Sequence, residues 1–264
     1  MKLVSINVAI KVANTGKVVD FLKRENAHII ALQEVVRHLE DSVHPTYRSK
    51  ADIETALVDQ YPHVFFGPIW LADGFKNAQT VDYDFGGHIE QGCEILSKFP
   101  ISSGTNEFYY KHFTYMQDWS AWHQEDHGRA VLITRLDVNG KPLQILNLHG
   151  IWTADKNGDE RTLAQTRYIV DAAKRNDIAT IIVGDFNLLP DSASLQGLND
   201  NFRNLISDYG ITTTRPKFKD NLESGGDKVI DYIFVNQHID VKDFRVPQTD
   251  VSDHLPLILD FELR

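Results

Sequence analysis

The chain of 264 residues carries 37 acidic and 27 basic side chains, which give it a formal net charge of -10 at pH 7. Because such a charge repels polyanions, the composition disfavours a general binder of duplex nucleic acid and favours a small ligand. The 42% hydrophobic content is sufficient, at this length, for a sizeable buried core.

The sequence shows no sign of export, membrane insertion or division into separate parts. Its first residues become polar too soon for a secretory segment, and no later stretch is apolar over the length of a membrane span. Cys93 is the single cysteine and excludes an intramolecular disulfide. No repeat or flexible linker interrupts the pattern. We therefore predict one cytoplasmic domain over residues 1–264.

The first half of the chain alternates strand-like and helix-like segments. A strand is predicted over Lys2–Val8, then a helix capped by Thr15, then a strand over Ile29–Val36 whose continuous apolar run indicates burial on both faces. Ser49, followed by Asp52, resembles a capping box at the start of a second helix. Two short strands follow, over His63–Phe66 and Glu94–Lys98.

The second half begins with a hairpin and continues in the same alternation. The dipeptide Asn139-Gly140 suits a tight turn between strands over Arg129–Val138 and Pro142–His149. Asp159 is predicted to cap a helix. The apolar face of that helix is predicted to carry Leu163, Val170 and Ala173. The remaining strands are predicted over Thr180–Val183, Val229–Val235 and Leu255–Leu263. Hairpins mixed with helical connections indicate two mixed sheets packed face to face, with helices outside.

Polar side chains stand at the ends of these apolar strands, anchored by the core yet within reach of solvent. They are Asn7, Glu34, His149, Asp185, Asn187, Asp231, Asp253 and His254. A carboxylate within an apolar strand is costly unless it is paired or binds a cation, so Glu34 and Asp231 each require a partner. We expect these eight side chains to converge on one cation-sized gap.

The residue types in this set match the needs of phosphate ester hydrolysis. Oxygen ligands from Glu34, Asp253 and the Asn7 amide carbonyl form a hard site suited to Mg²⁺ or Mn²⁺. Asp185 with Asn187 can orient and deprotonate a water molecule. The imidazoles of His149 and His254 can donate hydrogen bonds to developing charge, with Asp231 orienting His254. Asp185, Asn187 and Asp231 could instead serve turns, which is the commoner fate of such residues in isolation. His149 could simply end a strand, and Glu34 could form a buried pair with a lysine of a helix.

Six short strings occur in a fixed order along the chain. They are Ile-Asn-Val, Leu-Gln-Glu, Asn-Leu-His-Gly, Gly-Asp-Phe-Asn, Ile-Asp-Tyr-Ile and Ser-Asp-His-Leu-Pro. In this order they resemble the endonuclease/exonuclease/phosphatase superfamily, and they extend from Asn7 to Pro256. The resemblance implies a four-layered α/β sandwich, with two mixed, mostly antiparallel β-sheets flanked by helices. It also implies Mg²⁺-dependent attack of water on phosphorus, with Glu34 as the principal metal ligand and Asn7 nearby.

The resemblance leaves the substrate open. The superfamily includes deoxyribonucleases, apurinic-site endonucleases, deadenylases, inositol polyphosphate phosphatases, sphingomyelinases and enzymes that release tyrosyl groups from DNA ends. The presence of a histidine at position 149 resembles the deoxyribonuclease, sphingomyelinase and phosphatase branches of the superfamily. We favour a small phosphate ester, with a diester ahead of a monoester. The alternatives are a nuclease that processes nucleic-acid ends and a non-catalytic binding module on the same fold.

Several other residues carry weaker signals. Glu94 stands where the superfamily string more often has a small or apolar residue. The segment Tyr109–His127, with Trp119 and Trp122, either stacks on a ligand or packs under a loop, and its histidines only superficially resemble a zinc pattern. Cys93 is expected to be buried and inert. Four basic residues are candidate phosphate contacts, although single basic residues are more often solvated surface. They are Lys98, Arg129, Lys217 and Lys228.

Overall fold

The computed structural model describes residues 1–10, 15–73, 84–116, 127–216 and 228–264. Its strands are β1 (Lys2–Asn7), β2 (Ile29–His38), β3 (His63–Ala72), β4 (Ile89–Ser97), β5 (Ile101–Tyr110), β6 (Thr114–Met116), β7 (Arg129–Val138), β8 (Lys141–His149), β9 (Ala179–Asp185), β10 (Arg203–Asn204), β11 (Asp231–Val235), β12 (Ile239–Arg245) and β13 (Leu257–Leu263). Its helices are α1 (Thr15–Glu25), α2 (Ser49–Leu57), α3 (Glu160–Lys174), α4 (Gln196–Asn199) and α5 (Leu205–Asp208).

The strands form two mixed sheets. In the described residues, a seven-stranded sheet has the order β12-β13-β1-β2-β4-β3-β6, and a six-stranded sheet has the order β10-β11-β9-β8-β7-β5. The β1–β2, β3–β6 and β8–β9 pairs are parallel, and the other pairs are antiparallel. The predicted mixed, mostly antiparallel arrangement is confirmed.

Helices cover the outer faces of both sheets. Val18 and Leu22 of α1 and Ile53 of α2 pack on outward-facing residues of β1 and β2, such as Ile30. On the other side, α3 contacts β8 and β5. The two sheets meet through contacts of β1 with β9 and of β2 and β4 with β8. The layers therefore form the predicted four-layered α/β sandwich. None of the described helices is long and apolar enough to span a membrane.

The hairpin of β7 and β8 has the predicted turn. Asn139 and Gly140 both have positive φ, at 54° and 86°, as a two-residue turn between twisted strands requires. Val138 pairs with Lys141 across the turn. This local signal was sufficient because the turn geometry is decided by its two central residues.

Two details of the predicted helices are wrong. The buried side of α3 consists of Thr162, Gln165, Thr166, Ile169, Ala172 and Ala173, while Leu163 is 38% exposed. Two of these polar residues have hydrogen-bond partners: Gln165 Oε1 accepts from the Ile151 N–H at 2.8 Å, and Thr162 Oγ1 lies 2.8 Å from Ser194 Oγ. Ser49 does not cap α2; its Oγ accepts from the Val36 N–H of β2 at 2.9 Å. Asp159, in contrast, caps α3 as predicted.

The sequence analysis missed the strands at the margins of both sheets. The edge strands are β12 and β6 in one sheet and β10 and β5 in the other. β5 is mostly polar and half-exposed along its length. An edge strand has a neighbour on one side alone and is less deeply buried, so it needs no continuous apolar run. The interior strands, which carry such runs, were predicted.

A β-bulge in β2 directs Glu34 away from the regular strand pattern. Leu32 pairs with Glu94 and Val35 pairs with Gly92, so Gln33 and Glu34 together face one residue of β4. Glu34 has a φ of 57°, in the left-handed region that non-glycine residues rarely occupy. A bulge with one residue in this conformation re-aims a side chain and increases the local twist.

The Asn147 side chain connects the two sheets behind this bulge. Its Nδ2 donates to the Leu32 carbonyl at 2.9 Å and to the Glu94 carbonyl at 3.1 Å. Its Oδ1 accepts from Gln33 Nε2 at 2.7 Å. Asn147 is completely buried, so these bonds satisfy polar groups that water cannot reach.

The left-handed backbone at Glu34 predicts that glycine is tolerated there better than alanine. Both Glu34→Gly and Glu34→Ala remove the carboxylate, but glycine alone relieves the backbone strain. We expect Glu34→Gly to be the more stable variant by about 1 kcal/mol in urea unfolding. In the control pair at Glu54 in α2, Glu54→Ala should instead be more stable than Glu54→Gly, since glycine is unfavourable within a helix. Equal stability of the two Glu34 variants would contradict the role of strain.

The inter-sheet role of Asn147 predicts a large loss of stability in Asn147→Ala. The substitution removes the hydrogen bonds of Asn147 to two buried carbonyls and to the Gln33 amide, which should cost about 2–4 kcal/mol of unfolding free energy. Chemical denaturation measures this loss. In the control Asn201→Ala, water can replace the hydrogen bonds of an exposed side chain, and little change is expected. A loss no larger than that of the control would show that the Asn147 bridge is not needed.

Candidate functional site

Strand alternation directs several predicted site residues to one edge of the sandwich interior. Successive residues of a strand point to opposite faces, and Asn147, known to point inward, shares its face with His149 two residues later. His149 is in register with Asp185 of β9, which is in register with Asp231 of β11. The parallel strands β8 and β9 end at this edge, and the antiparallel strand β11 begins there. Chain topology therefore brings the three side chains together.

Asn7 links the partly buried carboxylate of Glu34 to the buried carboxylate of Asp185. Its Nδ2 donates to Glu34 Oε1 at 3.0 Å and to Asp185 Oδ2 at 3.1 Å. Its Oδ1 accepts from the Ala9 N–H at 3.0 Å, so the carbonyl expected to bind a metal points toward the backbone in this rotamer. Glu34 Oε2 also accepts from the Ile10 N–H at 2.8 Å. Burial, with repulsion from Asp253, raises the pKa of Glu34.

Asp185 lies between the loop that carries Asn187 and the carboxylate of Asp231. The Asn187 N–H donates to Asp185 Oδ1 at 2.8 Å, and Asn187 itself has a φ of 56°, which asparagine tolerates. Burial first, and then the charge of Asp231, raise the pKa of Asp185 to about 6. Lys156 Nζ donates to Asn187 Oδ1 at 2.6 Å, which fixes the amide next to the carboxylate.

Asp231 and His254 form a buried ion pair. His254 Nδ1 lies 2.9 and 3.0 Å from the two Asp231 oxygens, and Thr214 Oγ1 donates to Asp231 Oδ2 at 2.6 Å. Burial alone would lower the pKa of His254, but Asp231 and Asp185 outweigh it and raise this pKa to about 9. Nδ1 therefore donates to Asp231, and Nε2 is directed to Asp185 Oδ2, 3.7 Å away.

His149 has the opposite electrostatic character. Burial, reinforced by the positive charge of Arg129, lowers its pKa well below the usual value. Its Nε2 lies 3.6 Å from Glu34 Oε1 and 3.7 Å from Asp185 Oδ2. The cluster thus contains one neutral imidazole and, at His254, one cationic imidazole.

Asp253 is placed by Ser252 at the outer side of the cluster. Ser252 Oγ lies 2.7 Å from the Asn7 carbonyl, to which it donates, and 3.2 Å from Asp253 Oδ1. Arg215 Nη2 donates to Asp253 Oδ2 at 3.1 Å. All eight predicted side chains therefore gather at one edge of the sandwich, although their individual roles remain predictions.

The donor set fits a hard divalent cation. The partly buried Glu34 carboxylate contacts the Asn7 amide, a backbone N–H and a neutral imidazole, and it has no lysine or arginine partner among the described residues. One ligand atom each of Asp185, Asp231 and His254 lies within 4.8 Å of the others, which gives a second, adjacent candidate position. Asp185 belongs to both groups. Carboxylate-rich sites of this kind suit Mg²⁺ or Mn²⁺.

These groups open into a cleft of about 360 Å³. Its lining residues are Glu34, His149, Trp152, Ala154, Lys156, Asp185, Asn187, Arg215, Lys228, Ile230, Asp253 and His254. Sequence reasoning missed Trp152, Lys156 and Arg215. Lys156 follows the His149 strand closely, but a single charged residue in a loop carries no signal that separates it from solvated surface.

The other residues singled out from the sequence have varied positions. Arg129 is buried beside the cluster, and Lys228 lines the cleft. Lys98 instead contacts Asn26, with Nζ 3.3 Å from its carbonyl, at the opposite end of β2. Glu94 is buried under α2, 3.6 Å from Lys50, where burial raises its pKa to about 8. Lys217, Trp119 and Trp122 lie outside the described residues.

Cys93 is buried and free, as expected from the sequence. Burial raises the pKa of its thiol, which keeps the sulfur protonated and unreactive. The cysteine therefore belongs to the packing between the sheets and not to the chemistry of the cleft.

Solved structures share this fold over the whole chain. An endonuclease/exonuclease/phosphatase from Beutenbergia cavernae aligns with a TM-score of 0.74 and 18% identity, covering 100% of this chain and 71% of that one. The catalytic domain of human Nocturnin, with a bound sulfate anion, aligns at 0.66 and 17%, covering 100% and 93%. A mannosyl-6-phosphatase from Bacteroides thetaiotaomicron aligns at 0.65 and 15%, covering 100% of both chains.

Comparison of sequences gives the family. No functionally curated protein matches the chain. The model of the Endonuclease/Exonuclease/phosphatase family, however, matches residues 5–254, which include every predicted site residue from Asn7 to His254. With this match and the shared fold, the chain belongs to the endonuclease/exonuclease/phosphatase family.

Proposed function

We propose that this protein is a divalent-metal-dependent phosphoesterase that hydrolyses a small phosphate ester by attack of water on phosphorus. One observation carries the proposal: the Asp231–His254 ion pair and the Glu34–Asn7–Asp185 cluster face the same cleft, with His254 Nε2 3.7 Å from Asp185 Oδ2. A cation-binding group, a base and a cationic hydrogen-bond donor therefore surround one small volume.

Asp185 and Asn187 are suited to position and activate the water. A pKa of about 6 leaves Asp185 ionised at neutral pH, yet basic enough to accept a proton. The Asn187 N–H and the neighbouring Asn7 amide hold the carboxylate at 2.8 and 3.1 Å, so its orientation is fixed before substrate enters.

The two histidines are suited to the phosphoryl group and the leaving group. His254 is cationic at neutral pH because Asp231 stabilises its proton, so it can donate a charged hydrogen bond from Nε2 to a developing negative oxygen. His149 is neutral and polarises the same region without adding charge. The proposed phosphoryl site is therefore bordered by one cationic and one neutral imidazole.

Glu34 and Asp253 would hold the metal, with Asn7 joining them through rotation of its amide. A bound Mg²⁺ or Mn²⁺ would supply Lewis-acid stabilisation of the phosphoryl oxygens. The residues fit this ion because they offer carboxylate and amide oxygens, and because the partly buried Glu34 has no lysine or arginine partner among the described residues.

A small ester, with a diester ahead of a monoester, is the substrate class that we propose. The cleft volume of about 360 Å³ and the net charge of -10 favour a small anionic molecule over a long polyanion. A nuclease acting on nucleic-acid ends is the alternative. Single-stranded and duplex DNA, compared with bis-p-nitrophenyl phosphate and p-nitrophenyl phosphate, separate these substrate classes.

Metal removal and loss of Asp185 provide the direct test of activity. Turnover of the preferred ester should require Mg²⁺ or Mn²⁺ and should cease in EDTA, because the bound metal would supply the Lewis-acid stabilisation of the phosphoryl oxygens. Asp185→Asn keeps the side-chain shape but removes the base, so kcat should fall by at least ~10²-fold. The control Asp200→Asn, at an exposed position, should retain the wild-type rate. Turnover that persists in EDTA would show that the proposed mechanism is wrong.

The buried ion pair predicts an altered titration of His254 in Asp231→Asn. Without the carboxylate, burial should dominate and the pKa of His254 should fall from about 9 to below the usual 6.5. NMR titration of the metal-free protein measures this change. Because the folded-state pKa is raised, the stabilisation by Asp231 is complete below pH 6.5 and is lost as pH rises through 9.

The exposed pair of His238 and Asp177 provides the control for the stability effect. Its two side chains are 2.7 Å apart, but Asp177 is 86% exposed. Asp177→Asn should therefore change the free energy of unfolding at pH 6 far less than Asp231→Asn does. An unchanged His254 titration in Asp231→Asn would contradict the assigned pairing.

A further inference from the structure

In the described part of the chain, three lysine and arginine side chains line the cleft of a molecule that is acidic overall. Lys156, Arg215 and Lys228 all face the same volume, next to the carboxylates of the proposed metal site. They are close enough to affect one another: burial, together with the charges of Arg215 and Lys228, lowers the pKa of Lys156 to about 8. Positive charges held together in this way require a negative group to compensate them, either a carboxylate of the protein or a bound anion.

Lys156 is held in place by two contacts. Its Nζ donates to Asn187 Oδ1 at 2.6 Å and lies 4.5 Å from the centroid of the Trp152 ring. Trp152 is 39% exposed, so its ring also offers apolar surface to a ligand in the cleft. These contacts fix the ammonium group beside the proposed water-binding residues.

Arg215 and Lys228 are placed by hydrogen bonds around the Thr213–Arg215 segment. The Thr214 N–H donates to the Lys228 carbonyl at 2.9 Å, and the Arg215 N–H donates to Thr213 Oγ1 at 3.0 Å. Arg215 is paired with Asp253 at 3.1 Å. The Lys228 ammonium, in contrast, has no acidic partner among the described residues. Of the three basic side chains, Lys228 is therefore the one whose charge no carboxylate in the described part of the chain compensates.

The basic side chains of the cleft are only partly compensated by carboxylates. Among the described residues, Arg215 is paired with Asp253, Lys156 donates to the neutral Asn187 amide, and Lys228 has no acidic partner. The proposed scissile phosphate would have its own partners at the two histidines and the metal ligands. The two ammonium groups are therefore available to a second negative charge on the ligand.

We propose that Lys228, with Arg215 and Lys156, forms an anion subsite for a second anionic group on the substrate, either a carboxylate or a phosphate. This inference rests on the proposed function and narrows its substrate class to small phosphate esters that carry such a group. The scissile phosphate lies against His149, His254 and the metal ligands, the second anionic group lies against Lys228, and Trp152 borders the space between them.

Phosphinates test the subsite without turnover, because their carbon–phosphorus bonds are not hydrolysed. Methyl(propyl)phosphinate carries one negative charge, and 3-(methylphosphinico)propionate differs from it by a terminal carboxylate. In the presence of Mg²⁺, calorimetry should show at least ~10-fold tighter binding of the carboxylate ligand, the scale of one charge-assisted hydrogen bond. The analogue 2-(methylphosphinico)ethylphosphonate tests a terminal phosphate-like group, and the tighter of the two identifies the chemistry.

Variants of Lys228 show whether this lysine provides the preference. In Lys228→Gln the affinity ratio should fall below ~3-fold, and Lys228→Arg should restore it because the charge returns. Lys141→Gln, which removes an exposed lysine of β8 outside the cleft, should leave the ratio unchanged. Equal binding of the ligands by the wild type, no binding of any of them, or a ratio unaffected by Lys228→Gln would each overturn the subsite.

Release of p-nitrophenol in the metal-dependent assay is read independently of ligand binding. Tighter binding of the phosphinates that carry a second anionic group, in a protein that does not hydrolyse the esters, would support the subsite and reject the phosphoesterase proposal. Metal-dependent turnover with equal phosphinate affinities would support the phosphoesterase proposal and reject the subsite. The two failures are therefore distinguishable.

Discussion

The burial of Glu34, Asp185 and Asp231 at one edge of the sandwich is the constraint on which the rest of the site depends. A buried carboxylate is costly unless hydrogen bonds or opposite charges compensate it. The Asn7 amide compensates two of these groups at once, and the imidazolium of His254 compensates the third. The compensation is incomplete, since the pKa values of Glu34 and Asp185 stay raised. A divalent cation would remove this remaining cost.

The same constraint accounts for irregular backbone nearby. The bulge in β2 and the left-handed conformation of Glu34 direct its carboxylate toward Asn7. Asn147 then bridges the sheets through carbonyls beside the bulge, and Ser49 accepts from the Val36 N–H just beyond it. Backbone strain and unusual polar contacts of this kind concentrate at functional sites, because they cost stability and are kept where function requires them.

The cleft carries charges of both signs. It is lined by Glu34, Asp185 and Asp253 together with Lys156, Arg215 and Lys228, and Arg215 lies 3.1 Å from Asp253. In a chain with a net charge of -10, these basic side chains give an anionic ester a binding surface without making the whole protein attractive to polyanions. The arrangement therefore links the acidic composition to a small anionic substrate.

The sequence alone predicted the interior strands, the β7–β8 turn and eight polar side chains that meet at one edge of the sandwich, because burial and turn geometry leave local signals. One of the eight, Glu34, lies inside β2 at a bulge and not at a strand end. It did not reveal the edge strands, which lie at the sheet margins and need no apolar run. It also assigned Ser49 to a helix cap, whereas a distant strand uses its hydroxyl. Trp152, Lys156 and Arg215 join the site only through the tertiary structure, since proximity between loops depends on how the two sheets pack and not on local pattern.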